Sequence, residues 1–234
     1  GDKVAVDDMS FDVLPGVVTG FLGPNGAGKS TTMRLMLDLD PGAGETRFDG
    51  KRFRDIRDPM REIGAVLEAK AFAPPRTARN HLRMLAAANR IPTSRVDEVF
   101  DIVGLAEVKR KKPRGFSMGM AQRLGLAQAL LGDPRMLILD EPANGLDPHG
   151  IHWLRDVLKS LAGQGRTVFV SSHLLAEMSL MADELVVIGR GRIVAQGTKQ
   201  ELLAAAETLV DSVDNPRLAA ALATTGATVT VAGG

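Results

Sequence analysis

One octapeptide restricts the possible folds of this chain more than any other feature. Residues 23–30 read GPNGAGKS, which matches the pattern G-x-x-x-x-G-K-[ST] in full. An apolar run of strand length, residues 17–22, leads directly into it, and residues 33–37 continue in a helical pattern. Glycines let such a turn face its backbone N–H groups inward, and the following helix adds its positive N-terminal end. The sequence therefore predicts an anion-binding loop between a buried strand and a helix.

The residues of this phosphate-binding loop have predicted roles in nucleotide binding. We expect Lys29 to reach the β- and γ-phosphates and Ser30 to offer its hydroxyl to Mg²⁺. The predicted nucleotide-binding residues of the loop are Gly23, Pro24, Asn25, Gly26, Ala27, Gly28, Lys29, Ser30 and Thr31. The loop alone does not select a reaction, because small-molecule kinases, GTPases, helicases and transport ATPases all use it.

Strand and helix patterns alternate along much of the chain, which is typical of a parallel sheet covered by helices on both faces. The main strand patterns cover residues 17–22, 136–139, 167–170 and 185–188. Alternating apolar residues at 4–6 and 9–14, and a hairpin signal at 49–50, predict additional antiparallel strands. Helical periodicity dominates residues 74–130, where Ser94 is a predicted helix N-cap.

These patterns predict the α/β class: a P-loop NTPase (RecA-like) core with an antiparallel β subdomain and an inserted α-helical subdomain at about residues 74–130. We expect one nucleotide-binding domain over residues 1–205, and a small C-terminal αβ appendage, truncated, over residues 206–234. No run approaches the roughly 18 apolar residues of a membrane-spanning helix, and no signal-peptide pattern opens the chain.

The composition excludes several kinds of function. The formal net charge is +1, so there is no global electrostatic case for a nucleic-acid partner. The chain contains no cysteine, which excludes disulfides, thiolate catalysis and cysteine-based metal sites. What remains is an ordinary globular chain whose chemistry must come from its phosphate-binding loop, carboxylates and histidines.

Two carboxylates end the strand pattern at residues 136–139. Asp140 and Glu141 point in different directions there, because side chains alternate along a strand. We assign Asp140 to the metal and Glu141 to the general base that polarises an attacking water. His173 follows the strand pattern at 167–170, at the sheet edge where α/β proteins bind ligands, and could bond the γ-phosphate or orient the water. The histidines expected at the surface are His81, His149 and His152.

In this order, the motifs resemble the ATP-binding cassette (ABC) family, specifically the nucleotide-binding subunit of an ABC transporter. The resemblance covers about residues 1–205 and implies that they form an ABC ATPase domain. GPNGAGKST is similar to the Walker A motif of the family, MLILDEP to Walker B with its catalytic glutamate, and SSHLL to the switch histidine. Gly145, Leu146 and Asp147 match the D-loop. The resemblance implies Lys29, Glu141 and His173 as the catalytic residues.

The segment FSMGM, residues 116–120, lies where the family carries its signature, usually LSGGQ. Ser117 and Gly119 match the second and fourth signature positions, whereas the other three letters depart from it. In the family, two cassettes dimerise head to tail around two ATP molecules, and each signature contacts the ATP held by the partner. The resemblance thus adds Ser117, Gly119 and Asp147 to the predicted ATP-binding residues.

Further positions follow from the same resemblance. Glu68 stands where the family has the glutamine of its Q-loop, and as an oxygen ligand it joins Ser30 and Asp140 in the predicted Mg²⁺ site. The aromatic residue on which the family stacks adenine is expected to precede Gly1, because Phe11 lies in a strand pattern. The basic run at 109–114 is either a solvated loop or a contact with the permease or anionic lipid head groups.

The resemblance implies an ATP-binding and ATP-hydrolysing subunit of a bacterial ABC transporter. The sequences around the signature, GFSMGMAQRLGLAQALLGDP, and near the start of the chain, VDDMSF, most resemble the drug- and antibiotic-export branch. The expected cofactors are ATP and Mg²⁺. The expected partners are membrane permease subunits and a second nucleotide-binding subunit, as a homodimer, at the cytoplasmic face of the membrane.

Three alternatives compete with this interpretation. A soluble ABC ATPase acting on ribosomes or DNA usually carries two cassettes or long coiled coils, and this chain has neither pattern. A P-loop kinase or GTPase would not need FSMGM, GLD and SSH in this order. A cassette that binds ATP without hydrolysing it is disfavoured by the presence of both Glu141 and His173.

Overall fold

A computed structural model describes residues 4–67 and 76–204. The described residues up to Leu202 belong to one compact unit. The predicted appendage at 206–234 and the predicted metal ligand Glu68 lie outside the described residues, as does the position before Gly1. The division into an ATPase domain with a helical subdomain at about 74–130 stays a prediction.

Six strands form one sheet in the order β2-β3-β4-β1-β5-β6. Their bounds are β1 Val18–Leu22, β2 Ile63–Val66, β3 Met136–Leu139, β4 Thr167–Ser172, β5 Glu184–Gly189 and β6 Arg192–Thr198. The first five strands in the sheet order run parallel, and β6 pairs antiparallel with β5 at the edge. This sheet agrees with the predicted alternation of strands and helices, although the short strand β2 was not predicted.

Strand β1 lies in the interior of the sheet, between β4 and β5. Its residues are apolar or small and almost wholly buried, as expected for a parallel strand covered on both faces. The ring of Phe21 lies 5.1 Å from that of Phe169 in β4, and Phe11 stacks on both at 5.5 and 5.6 Å. The three rings therefore pack the strands β1 and β4 and the segment before β1 against one another.

Eight helices accompany the sheet within the described residues. Their bounds are α1 Lys29–Met36, α2 Pro59–Glu62, α3 Ala78–Ala88, α4 Ser94–Ile102, α5 Met118–Leu130, α6 Pro148–Gly163, α7 Leu175–Met181 and α8 Lys199–Ala204. The helices α3, α4 and α5 share one apolar cluster with α6 and the sheet, through side chains such as Leu82, Phe100 and Leu124. None of the helices that the structure describes is long and apolar enough to cross a membrane.

The predicted N-cap of α4 is wrong by one residue. Thr93 is the N-cap, and Ser94 is already the first helical residue. Asp97 does not complete a capping box, because it bonds two cations instead: Arg79 at 2.8 Å and Lys109 at 2.8 Å. The hydrogen bonds from Arg79 and then from Lys109 hold the pKa of the Asp97 carboxyl well below its usual range.

The predicted antiparallel strands near the start of the chain are reduced to isolated bridges in the described residues. Pro15 bridges to Thr167, and Phe48 to Lys51 around the predicted turn, where Asp49 and Gly50 both have positive φ. The alternation at 9–14 is real: Met9, Phe11 and Val13 all pack on the apolar cluster that contains Phe21. These side chains thus pack on the core although their backbone pairs with no neighbouring strand. Pro15 has no N–H, so it cannot donate the hydrogen bond that would extend its bridge to Thr167.

Replacement of Gly64 by alanine is expected to destabilise the protein by about 1–3 kcal/mol, the usual cost of an extra methyl group in a packed core. A Cβ at Gly64 in β2 would lie 2.3 Å from the carbonyl oxygen of Ala129 in α5, and a backbone atom cannot rotate away. Denaturant unfolding would measure the loss. Gly163→Ala is the control, since its Cβ would meet open space. Equal stability of the two variants would contradict this packing of β2 on α5.

Candidate active site

Three neighbouring strands deliver the predicted site residues to one edge of the sheet. The strands β3, β4 and β1 are adjacent and parallel, so their carboxyl ends lie side by side. The phosphate-binding loop follows β1, Asp140 follows β3, and His173 follows β4. The order of strands in the sheet therefore brings together groups that are more than a hundred residues apart in sequence.

Backbone geometry shapes the phosphate-binding loop. Gly26 and Gly28 have φ values of 78° and 110°, which L-residues with a side chain rarely adopt. A Cβ at Gly28 would also lie 2.4 Å from the carbonyl oxygen of Ala5. Gly28 is the N-cap of α1, and no side chain in the described residues caps this helix. Its first N–H groups are thus left to donate to an anion.

Lys29 is buried within this loop, with 6% of its side chain exposed. Its ammonium donates to the carbonyl oxygens of Gly23 at 2.7 Å and Pro24 at 3.3 Å. The same ammonium lies 3.2 Å from Oε1 of Glu141. The cation is therefore held at the mouth of the loop, where it already contacts one carboxylate.

Glu141 connects the three strand ends. Its Oε1 faces Lys29, and its Oε2 lies 2.8 Å from Nδ1 of His173. The residue has a φ of 48°, a left-handed conformation that costs free energy outside glycine. The side chain is 18% exposed, so water can reach a carboxylate that the protein otherwise encloses. Such a group can accept a proton from water, and the neighbouring imidazole can orient it.

Ser171 was not predicted as a site residue, yet its hydroxyl joins both members of the acidic pair. It donates to Oδ1 of Asp140 at 2.5 Å and accepts from the backbone N–H of Glu141 at 2.9 Å. Ser171 is wholly buried in β4, next to the strand that carries the pair. The only signal in the sequence was the Ser-Ser-His segment at the end of this strand.

The predicted metal ligands fit Mg²⁺ by their chemistry. Asp140 contributes a carboxylate and Ser30, exposed in the first turn of α1, contributes a hydroxyl. Both are oxygen donors, and Mg²⁺ is usually bound by one or two such protein ligands together with phosphates and water. Within the described residues, no group of three or more His, Asp or Glu side chains forms a metal cage.

The other predicted ATP-binding residues lie at two further helix starts. Ser117 is the N-cap of α5, where its hydroxyl accepts from the N–H of Met120 at 3.2 Å. Asp147 caps α6 in the same way and accepts from the N–H of Gly150 at 2.7 Å. Both caps are exposed, so they can also face a partner molecule.

Comparisons with known proteins point to one family. The family model described as ABC transporter matches residues 6–144. The uncharacterized ABC transporter ATP-binding protein YhcH of Bacillus subtilis is 40% identical over 223 residues, which are 93% of this chain and 73% of YhcH. The bacitracin transport ATP-binding protein BcrA of Bacillus licheniformis is 41% identical over 200 residues, which are 84% of this chain and 65% of BcrA.

The chain belongs to the ABC transporter family. A solved structure described as the ATP-binding subunit of an ABC transporter has a TM-score of 0.76 at 28% identity and covers 86% of each chain. The predictions of the family and of its P-loop NTPase fold are therefore confirmed. The prediction of an ABC ATPase, against a P-loop kinase or GTPase, is confirmed with them.

The first turns of α5 in this ABC ATPase, which begin in the signature segment, contact the residues that follow β3. The side-chain amide of Gln122 in α5 donates to the carbonyl oxygens of Asn144 at 3.2 Å and Glu141 at 3.4 Å. Met118 covers Gly145 so closely that a Cβ at Gly145 would lie 2.0 Å from the Met118 sulfur. Sequence reasoning missed both contacts, because they join segments that only the fold brings together.

The histidines outside the site differ from the prediction in one case. His149 and His152 are exposed in α6, as expected. His81 is not a surface residue: it is 5% exposed in α3, and its Nε2 lies 3.0 Å from Oε1 of Gln128 in α5. The prediction for His81 was wrong because a polar partner on a neighbouring helix can satisfy a buried imidazole.

Ser171→Ala should lower ATP turnover by about tenfold or more, because hydrogen bonds to charged groups typically contribute about 1.5–3 kcal/mol. Without the hydroxyl, Asp140 and the backbone of Glu141 lose the bonds that hold them together. Steady-state kinetics and titration with a fluorescent nucleotide would separate turnover from affinity, which should change little. Ser179→Ala, at a half-buried position of α7 outside the site, is the matched control. Equal turnover of the two variants would remove Ser171 from the site.

Proposed function

We propose that this chain is the ATP-hydrolysing subunit of a bacterial ABC exporter. The observation that carries the proposal is the contact of Glu141 with both Lys29 and His173, at the ends of β1, β3 and β4. This arrangement provides a base, a phosphate-binding cation and an orienting imidazole at the mouth of one anion-binding loop. A cassette that only binds ATP would not require the first and third of these groups.

In the proposed reaction, the loop from Gly23 to Thr31 binds the phosphates of ATP through its backbone N–H groups. Lys29 exchanges its contact with Glu141 for the β- and γ-phosphates. The freed carboxylate then accepts a proton from the attacking water, while His173 orients the water or bonds the γ-phosphate. Ser171 keeps Asp140 and Glu141 in fixed positions during this exchange.

Mg²⁺ would be held by Ser30 and Asp140, with Glu68 as a third oxygen ligand. When bound, the ion neutralises charge on the β- and γ-phosphate oxygens. The chain supplies few ligands of its own, which suits an ion that arrives with the nucleotide. Glu68 in the usual place of glutamine adds a negative charge to this site.

We further propose that two copies of the chain enclose two ATP molecules. The exposed hydroxyl of Ser117 accepts a bond from its own helix and can still donate to a phosphate outside the chain. Gly119 and Asp147, at the starts of α5 and α6, would add to this contact. The first turn of α5 contains no acidic residue, so the positive end of the helix dipole favours the γ-phosphate of an ATP held by the partner.

Binding and hydrolysis of these two ATP molecules would close and reopen the dimer and drive a separate permease. The chain would be held by that permease at the cytoplasmic face of the membrane, as a peripheral subunit. BcrA is named for bacitracin transport, which supports a drug or antibiotic as the exported substrate and favours a transporter over a soluble ABC ATPase. The chain spans 73% of YhcH and 65% of BcrA, so both relatives are longer proteins.

Glu141→Gln should reduce ATP turnover by about 10²- to 10⁴-fold, the usual contribution of a general base. The amide keeps the shape of the side chain but cannot accept the proton from water. ATP affinity should be retained, since glutamine also removes a carboxylate that competes for Lys29. Phosphate release and equilibrium nucleotide binding would measure the two effects. Unchanged turnover would show that Glu141 is not the base.

Ser117→Arg should abolish hydrolysis without weakening the binding of ATP to a single chain. The long cation would occupy the exposed start of α5, far in sequence from the phosphate-binding loop. Turnover per chain in the unchanged protein should rise with protein concentration, because the active form is a dimer. Turnover that is independent of concentration, and unaffected by this substitution, would contradict the dimer.

A further inference from the structure

A basic surface precedes the signature and has no part in the proposed reaction. Residues 109–114 read KRKKPR, and this segment is the basic loop. Its exposed cations are Arg110, Lys111, Lys112 and Arg114. Arg76, also exposed, lies two residues before Ala78, whose N–H donates to the carbonyl oxygen of Lys111 at 2.9 Å. The fold thus adds a fifth cation to a segment that the sequence already showed to be basic.

One carboxylate beside this surface, Asp97, is already neutralised. Asp97 bonds Arg79 and Lys109, which gives two cations for one anion. Both bonds hold the pKa of the Asp97 carboxyl well below its usual range, so it stays charged and occupied. Within the described residues, none of the exposed cations of the basic loop has a carboxylate within ion-pair distance. Their charge is therefore available to an external anion.

The backbone presents these cations in a fixed arrangement. Besides the bond to Lys111, the N–H of Arg79 donates to the carbonyl oxygen of Lys109 at 2.8 Å. The N–H of Lys111 donates back to Val108 at 2.8 Å, and a short 3₁₀ turn, Pro113–Gly115, ends the loop. The loop is thus fastened to the start of α3 on one side and leads into α5 on the other.

The chemistry of the surface favours an extended anionic partner. The cores of protein interfaces are usually apolar and aromatic, whereas residues 109–115 carry no exposed large apolar side chain. Single-stranded nucleic acid would need exposed aromatic rings for stacking, and the nearest ring, Phe116, is half-buried. Clusters of four or more Lys and Arg are typical of binding to anionic lipid head groups.

We propose that the basic loop, together with Arg76, binds the anionic head groups of the membrane leaflet next to which this ATPase works. The proposal rests on the proposed function only for that location. Lipid contact would hold the helices α3 and α5 at the membrane independently of the permease. It would also make retention of the chain at the membrane sensitive to ionic strength.

Co-sedimentation with vesicles tests the proposal directly. One set of vesicles contains about 30% phosphatidylglycerol in phosphatidylcholine, and the other contains phosphatidylcholine alone. The chain should bind the anionic vesicles about tenfold more tightly or better, and lose this preference when salt is raised from about 50 to about 300 mM. The variant R110Q/K111Q/K112Q/R114Q should bind them at least about tenfold more weakly.

A second variant separates the effect of the basic loop on vesicle binding from the effect of the net charge of the chain. K51Q/R57Q/R90Q/R190Q removes four exposed cations from elsewhere, so both variants go from a net charge of +1 to −3 (1 − 4). This control should bind within about twofold to threefold of the unchanged chain. Equal loss in both variants, or no preference of the unchanged chain for anionic vesicles, would overturn the proposal.

Two further measurements assign each outcome. Binding that depends on the basic loop only in neutral vesicles containing the permease would indicate a protein contact and overturn the lipid proposal. ATP turnover measured on the same preparations should be equal in the unchanged chain and both variants. Absence of turnover in the unchanged chain would contradict the proposed function and leave the vesicle result to stand by itself.

Discussion

The whole site depends on the parallel alignment of β3, β4 and β1. Each strand is buried on both faces, and the aromatic contact of Phe21 with Phe169 joins β1 to β4. Since parallel strands end at the same edge, this alignment alone brings a loop, an acidic pair and a histidine into contact.

The strained backbone at Glu141 follows from this alignment. The chain leaves β3 with Asp140 fixed by Ser171 and must turn at once to bring the next carboxylate between Lys29 and His173. A left-handed φ of 48° achieves the turn, and the N–H of Glu141 is held by the same serine hydroxyl. The bonds around Glu141 therefore stabilise a conformation that the residue would not adopt by itself.

The parts of this site that could be predicted are those formed by residues that are consecutive in the sequence. The loop at 23–30 and the acidic pair are local patterns, and the sequence placed both at strand ends. Ser171, Gln122 and the cation pair on Asp97 were missed, because their partners lie on other elements. Which strands are neighbours, and which side chains then meet, depends on tertiary packing that no local pattern encodes.

One departure from the family signature, Met120, falls where the backbone, and not the side chain, makes the observed contact. Ser117 accepts from the N–H of residue 120, which methionine donates as well as glutamine would. Glycine is kept at 119, where a Cβ would come within 3.3 Å of Leu146. Met118 fills the space over Gly145, so it ties the signature to the D-loop of its own chain. The start of α5 can thus keep its capping geometry while three of the five signature letters change.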